Sequence, residues 1–264
     1  MADAVETPRE REPVPPTTRR RGAAYTRRFV LAYVLVIVVF AAMVGLFAVL
    51  VSRSDSSSAR WSSFQPKGRD ELAKAQNLAN YVAPRYIDDG SPVAVVEAQP
   101  LVVQNTLVDG IAFSRATSRG TIGGGLKQFE PAEGTIMYVF CGPGNKCAPS
   151  PNATVQTDTL LRRESLELAL YTFKYWHGIN SVVALLPPLN GTKPAVYLRR
   201  RAFEDVLSKP LDRTLPTRPR VTGESMSEAE QLTVDRLTAH NLYASEFEML
   251  PNGRALLVLA SGSR

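Results

Sequence analysis

Apolar residues follow three different rhythms along this chain. The first is an unbroken run at 29–51 (FVLAYVLVIVVFAAMVGLFAVLV), which holds no charged residue. At 1.5 Å per residue a helix of this length reaches roughly 34 Å, enough for a bilayer core of about 30 Å. The run therefore predicts a membrane-spanning helix. A cleaved signal peptide has an apolar core of only about 7–15 residues.

The second rhythm has helical pitch. Residues 70–81 (DELAKAQNLANY) place Leu72, Ala75, Leu78 and Ala79 at helical spacing, and Pro84 ends the pattern. A stronger pattern runs over 160–177 (LLRRESLELALYTFKYWH). There Arg163, Glu164, Glu167 and Lys174 share about a third of the circumference, and apolar side chains fill most of the rest. So broad an apolar arc predicts a helix buried on more than one side. A short helix is predicted over 201–207. Ser227-Glu-Ala-Glu230 reads as a capping box that opens a helix to about 238.

The third rhythm is that of strands. Residues 93–103 read as a strand broken or bulged near Pro100, and 134–141 (GTIMYVFC) as a strongly apolar strand. Two more are predicted at 181–186 and 195–198. The chain closes with a hairpin, 242–250 and 254–260, around Pro251-Asn252-Gly253. Asn-Gly suits a two-residue turn whose central positions both have positive φ. Leu256, Leu257, Val258 and Leu259 are apolar without alternation, as in a strand covered on both faces.

These elements predict an α+β fold class: one N-terminal transmembrane helix, then an extracytoplasmic mixed α/β domain with an antiparallel-rich sheet and a C-terminal β-hairpin. The expected organisation is a disordered basic cytoplasmic tail over 1–28, the transmembrane helix over 29–51, a Ser-rich linker over 52–63 and one α+β domain over 64–264. Arg19, Arg20, Arg21, Arg27 and Arg28 precede the apolar run, whereas only Arg53 and Arg60 follow closely. The more basic flank stays in the cytoplasm, so the C-terminal domain is expected outside. Pro13-Val-Pro-Pro16 matches a minimal PxxP ligand, but a solvated tail is the preferred reading. Ala41 and Gly45 form a small-xxx-small pair that would suit a weak homodimer.

Charge modifies this picture little. The formal net charge is +6, and residues 1–28 supply half of it with seven Arg against four acids. A nucleic-acid partner requires a concentrated basic face, which the remainder of the chain lacks, so none is expected. The two cysteines, Cys141 and Cys147, enclose five residues. In an oxidising compartment this spacing predicts one small disulfide loop.

Candidate chemistry is thin. Cys141 with His177 as base would make a nucleophilic pair, but an oxidised Cys141 has no such role. Zinc would need four ligands, and His177 and His240 are the only soft ones beyond the cysteines. The stretch GTIGGGLK at 120–127 departs from a phosphate loop because Leu126 stands where the lysine belongs. Gly223-Glu-Ser225-Met-Ser227 falls one glycine short of a nucleophile elbow and follows no apolar strand. Arg199-Arg200-Arg201 reads as a solvated face with Arg200–Glu204 and Arg201–Asp205 pairs, or as a site for an anionic lipid or wall polymer. No catalytic, cofactor or metal residue is assigned.

The expected function is that of a single-pass, membrane-anchored envelope protein whose outer domain binds a protein or cell-wall partner without catalysing a reaction. The alternatives are a ligand-sensing ectodomain that signals through a membrane partner, and an extracytoplasmic enzyme of unrecognised type. Surface shape separates them. A pocket of roughly 300 Å³ or more with convergent polar groups favours a ligand or catalysis, and a flat apolar patch favours a protein partner.

Overall fold

The computed structural model describes residues 32–43, 61–115, 128–142, 154–188, 193–217 and 220–261. The chain divides into two compact units, 1–58 and 59–264. In the first, the described residues form one helix, α1, over 32–43, with all its side chains exposed. A helix of this length reaches roughly 18 Å, against about 30 Å for a bilayer core. No described helix is long and apolar enough to cross a membrane. The fold-class expectation of a transmembrane helix over 29–51 is corrected on that ground. Residues 32–43 of the apolar run form helix, and that described part is too short to span. The tail over 1–28 and Gly45, the partner of Ala41 in the small-residue pair, lie outside the described residues.

The first described residue of the second unit is Trp61, which is buried, and whose carbonyl accepts a hydrogen bond from the Leu211 N–H. The folded body thus starts no later than residue 61. Helix α2 (Glu71–Val82) is capped by Asp70, whose Oδ1 accepts from the Ala73 N–H at 2.7 Å. Its buried residues, Ala75, Leu78, Ala79 and Val82, fall on one stripe. A small hairpin follows, β1 (Ile87–Asp88) with β2 (Ser91–Pro92). Next come β3 (Val95–Gln99), β4 (Val102–Val103), β5 (Thr106–Arg115), β6 (Gln128–Pro131) and β7 (Thr135–Cys141). Helix α3 (Val155–Tyr175) crosses from β7 to β8 (Ser181–Leu185), which runs parallel to it. After β9 (Pro194–Arg199) come the short helices α4 (Glu204–Leu207) and α5 (Leu211–Thr214), then α6 (Glu228–Thr238). The hairpin β10 (Leu242–Met249) and β11 (Ala255–Ser261) closes the chain.

The nine strands other than β1 and β2 form one mixed sheet in the order β3-β7-β8-β9-β10-β11-β5-β4, with β6 paired to β5. β7–β8 and β11–β5 are parallel, and the other pairs are antiparallel. The α+β class and the C-terminal hairpin are therefore present. At about 4.8 Å per strand, the seven gaps of this path would carry its ends roughly 34 Å apart if the sheet were flat. Yet β3 ends at Gln99 and β4 starts at Val102, three residues on, a reach of at most about 11 Å. The sheet must curl until its ends meet. Ring contacts across the interior agree: Phe113 of β5 lies 5.4 Å from Tyr197 of β9, although two strands separate β5 from β9 in the sheet.

The curled sheet has two apolar faces. Inside, Ile111, Phe113, Met137, Val183, Tyr197, Leu257 and Leu259 belong to one cluster. Outside, Tyr138, Phe140, Val182 and Leu198 pack with Leu78, Leu166, Phe173 and Val234 from the helices. β11 lies between β10 and β5, and Leu256, Leu257, Val258 and Leu259 are all buried. That is why this strand shows no polar alternation.

Helix α3 is enclosed along most of its length, including its polar stripe. Arg163 has no exposed side-chain surface. Its guanidinium meets Glu230 Oε1 at 2.6 and 2.9 Å, Tyr86 Oη at 2.5 Å and the Thr217 carbonyl at 3.2 Å. Arg85 pairs with Glu167 at 2.5 Å, and Glu167 also accepts from the Tyr86 hydroxyl at 2.7 Å. One turn back, Arg162 joins Asp158 at 2.8 Å and Asp235 at 2.7 Å. The stripe ties α3 to α6 and to the turn after α2.

Candidate binding cleft

Along β9 the strand period of two sends Ala195 and Tyr197 into the barrel, and Val196 and Leu198 toward the helices. The same period puts Arg199 on the inner side. Its guanidinium lies 5.2 Å from the Phe113 ring and 5.3 Å from the Tyr197 ring, within cation–π range. Across the barrel, Glu130 of β6 accepts from the Tyr197 hydroxyl at 2.7 Å and pairs with Arg199 at 2.8 Å. Burial, and then the hydrogen bond to Glu130, raise the Tyr197 pKa above its ordinary value. Tyr197 is therefore held as a neutral donor.

Glu130, Tyr197 and Arg199 line the base of a cleft of about 630 Å³. One wall is the turn from β6 to β7, with Glu133 and Gly134. Gly134 has φ +70°, and a Cβ there would stand 2.9 Å from the Gly178 carbonyl oxygen. Its own carbonyl accepts from the N–H groups of Asn180 and Ser181 at 2.8 and 3.2 Å, which fixes that floor. Ser181 Oγ lies 2.6 Å from Thr135 Oγ1. The opposite wall is the end of β9, with Arg199, Arg200 and Arg201, and Glu204 just beyond.

The three consecutive arginines have three different tasks. Arg199 joins the interior pair. Arg200 turns back to the end of α3: its Nε donates to the Ile179 carbonyl at 2.8 Å, and its two terminal nitrogens donate to the carbonyls of Phe173 and Trp176. It satisfies acceptors that a helix end leaves open. Arg201 is exposed. Neither i,i+4 pair expected of this run forms among the described residues, because the helix begins only at Glu204. Arg201, Glu133 and Glu204 have no ion-pair partner among the described residues.

The other sequence candidates are placed elsewhere. Cys141 ends β7, whereas His177 is exposed beside Gly178, near the start of that strand. The length of β7, roughly 20 Å, keeps them apart. Cys147 lies outside the described residues, as does the glycine-rich stretch 120–127. Ser225 is engaged locally with Thr222. Ser227 caps α6, accepting from the Glu230 N–H at 3.2 Å. His240 sits in the turn after α6. No group of three or more His, Cys, Asp or Glu able to hold a metal occurs among the described residues.

Sequence reasoning missed Glu130, Glu133 and Tyr197. The Arg run was the one available signal, since charge at a strand end is where a barrel opens. No protein-family profile matches the chain, and no curated protein or solved structure matches it.

Proposed function

We propose that this protein is a non-enzymatic binding protein of the cell envelope. Its globular domain, outside the cytoplasm, takes a ligand, or the end of a cell-wall or protein partner, into the cleft at the barrel mouth. The observation that carries this reading is the convergence of Arg201, Glu133 and Glu204, each without an ion-pair partner among the described residues, on one concave space of about 630 Å³. Barrel mouths with a few convergent polar groups are common binding sites. The same volume favours, as a second reading, a ligand-sensing domain.

The place at the cell membrane belongs to the same proposal and is supported by the apolar composition of residues 29–51 and the arginines that precede them, without a spanning helix being claimed. A Cys141–Cys147 bridge belongs to the same proposal. Alkylation of the freshly isolated chain without reductant should add no mass. Two added groups would show a reducing environment and count against the outer location.

The binding reading is tested by capture from envelope fractions with the full chain. A partner recovered by the wild type should be lost with both Arg201→Glu and Glu133→Lys, which alter exposed positions only. Equal recovery by both variants would remove the cleft from the interaction.

A further inference from the structure

We propose that the cleft takes a zwitterion of amino-acid type, a free amino acid or a short peptide, with its carboxylate on the Arg199 and Arg201 side and its ammonium on the Glu130 and Glu133 side. This rests on the reading of the cleft as a binding site. Its lining holds three guanidiniums and three carboxylates. A simple anion or cation therefore gains no net attraction, whereas a ligand that carries both signs does. The signs are sorted in the main: Glu130 and Glu133 come from β6 and its turn to β7, and the arginines from the end of β9, with Glu204 the one carboxylate on the arginine side.

The Arg199–Glu130 pair at the base is the discriminating element. Its side chains keep 26% and 22% of their surface, so a ligand from solvent can compete for them. A singly charged ligand that displaces one partner leaves the other without an opposite charge, Glu130 then keeping only the neutral donors Gln128 and Tyr197, which is costly. A zwitterion supplies a partner to each. Neutral sugars are disfavoured because the aromatic ring lining the cleft, Tyr197, is only 3% exposed and offers no stacking face.

The test is calorimetric titration of the full chain at neutral pH and low salt. The probes are alanine, trialanine, N-acetyl-trialanine, trialanine amide, glucose, inorganic phosphate and putrescine. Trialanine or alanine should bind, and the tighter of the two identifies a peptide or a free amino acid as the source. Blocking either end should weaken binding about tenfold or more, as for a lost hydrogen bond to a charged group. Arg201→Gln should erase the preference for trialanine over its amide, and Glu133→Gln the preference over the acetylated form. The proposal is overturned if the blocked peptides bind as well as trialanine, if phosphate, putrescine or glucose binds and the zwitterions do not, or if no probe binds. If partner capture still depends on Arg201 and Glu133 in those cases, only the ligand class has failed. If it does not, the binding reading fails too.

Discussion

Glu164 is fully buried, and neither of its carboxylate oxygens has a hydrogen-bond partner among the described residues. Burial first, and then the charge of Glu167, raise its pKa well above the ordinary carboxylate value, with Arg85 opposing. The folded protein thus holds Glu164 as the neutral acid. The unfolded chain releases that proton near pH 4.5, so above this pH the folded state binds more protons and stability falls as pH rises. The loss continues until the folded-state pKa is passed, at up to about 1.4 kcal/mol per pH unit. Glu164→Gln should remove this slope and raise the melting temperature at pH 7, with no gain at pH 4. Identical pH slopes for the two proteins would show that the carboxyl is not buried as described. The sequence did put Arg163, Glu164 and Glu167 on one helix face. Periodicity cannot say what covers a polar face. Here the cover comes from Glu230 and Tyr86, 67 and 77 residues away from Arg163.

At the scale of elements, the local patterns located most helices and strands, and their ends depend on distant partners. Helix α3 starts at Val155 rather than at 160 because Thr154 and Thr157 cap it reciprocally. The expected capping box of α6 is half made: Ser227 serves the Glu230 N–H, but the Glu230 carboxylate turns inward to Arg163 and Thr217. The final hairpin does not use a two-residue turn. Leu250 donates to the Arg254 carbonyl across a three-residue loop, and only Gly253 in that loop has positive φ. β5 escaped the sequence reading because Asp109 and Gly110 interrupt its apolar residues; the Phe129 ring fills the space that a Gly110 side chain would take. The arginine run gives the sharpest test at this scale. Arg200→Ala should cost about 1.5–3 kcal/mol by uncapping α3. Arg201→Ala should fall within about 0.5 kcal/mol of wild type in the same denaturant titration. Equal losses would contradict the division of labour.

For the whole molecule, closure of the sheet decides both stability and the site. β11 bonds to β10 and β5 and carries buried side chains on both faces, so it holds the C-terminal half of the barrel to the middle of the chain. A chain ending at Leu250 should lose its cooperative thermal transition; one that melts at the wild-type temperature would refute this role. The cleft was not legible in the sequence because its two walls meet only after the sheet curls: β6 and β9 are not neighbours in the sheet, yet Glu130 touches Tyr197 and Arg199. The most direct measurement of the central claim is photo-crosslinking in living cells from a reactive residue at position 201 in the cleft, with position 232, exposed on α6, as the control. A specific partner crosslinked from 201 and not from 232 is the predicted result. A partner crosslinked from 232 and never from 201 would contradict the assignment of the cleft as the binding surface.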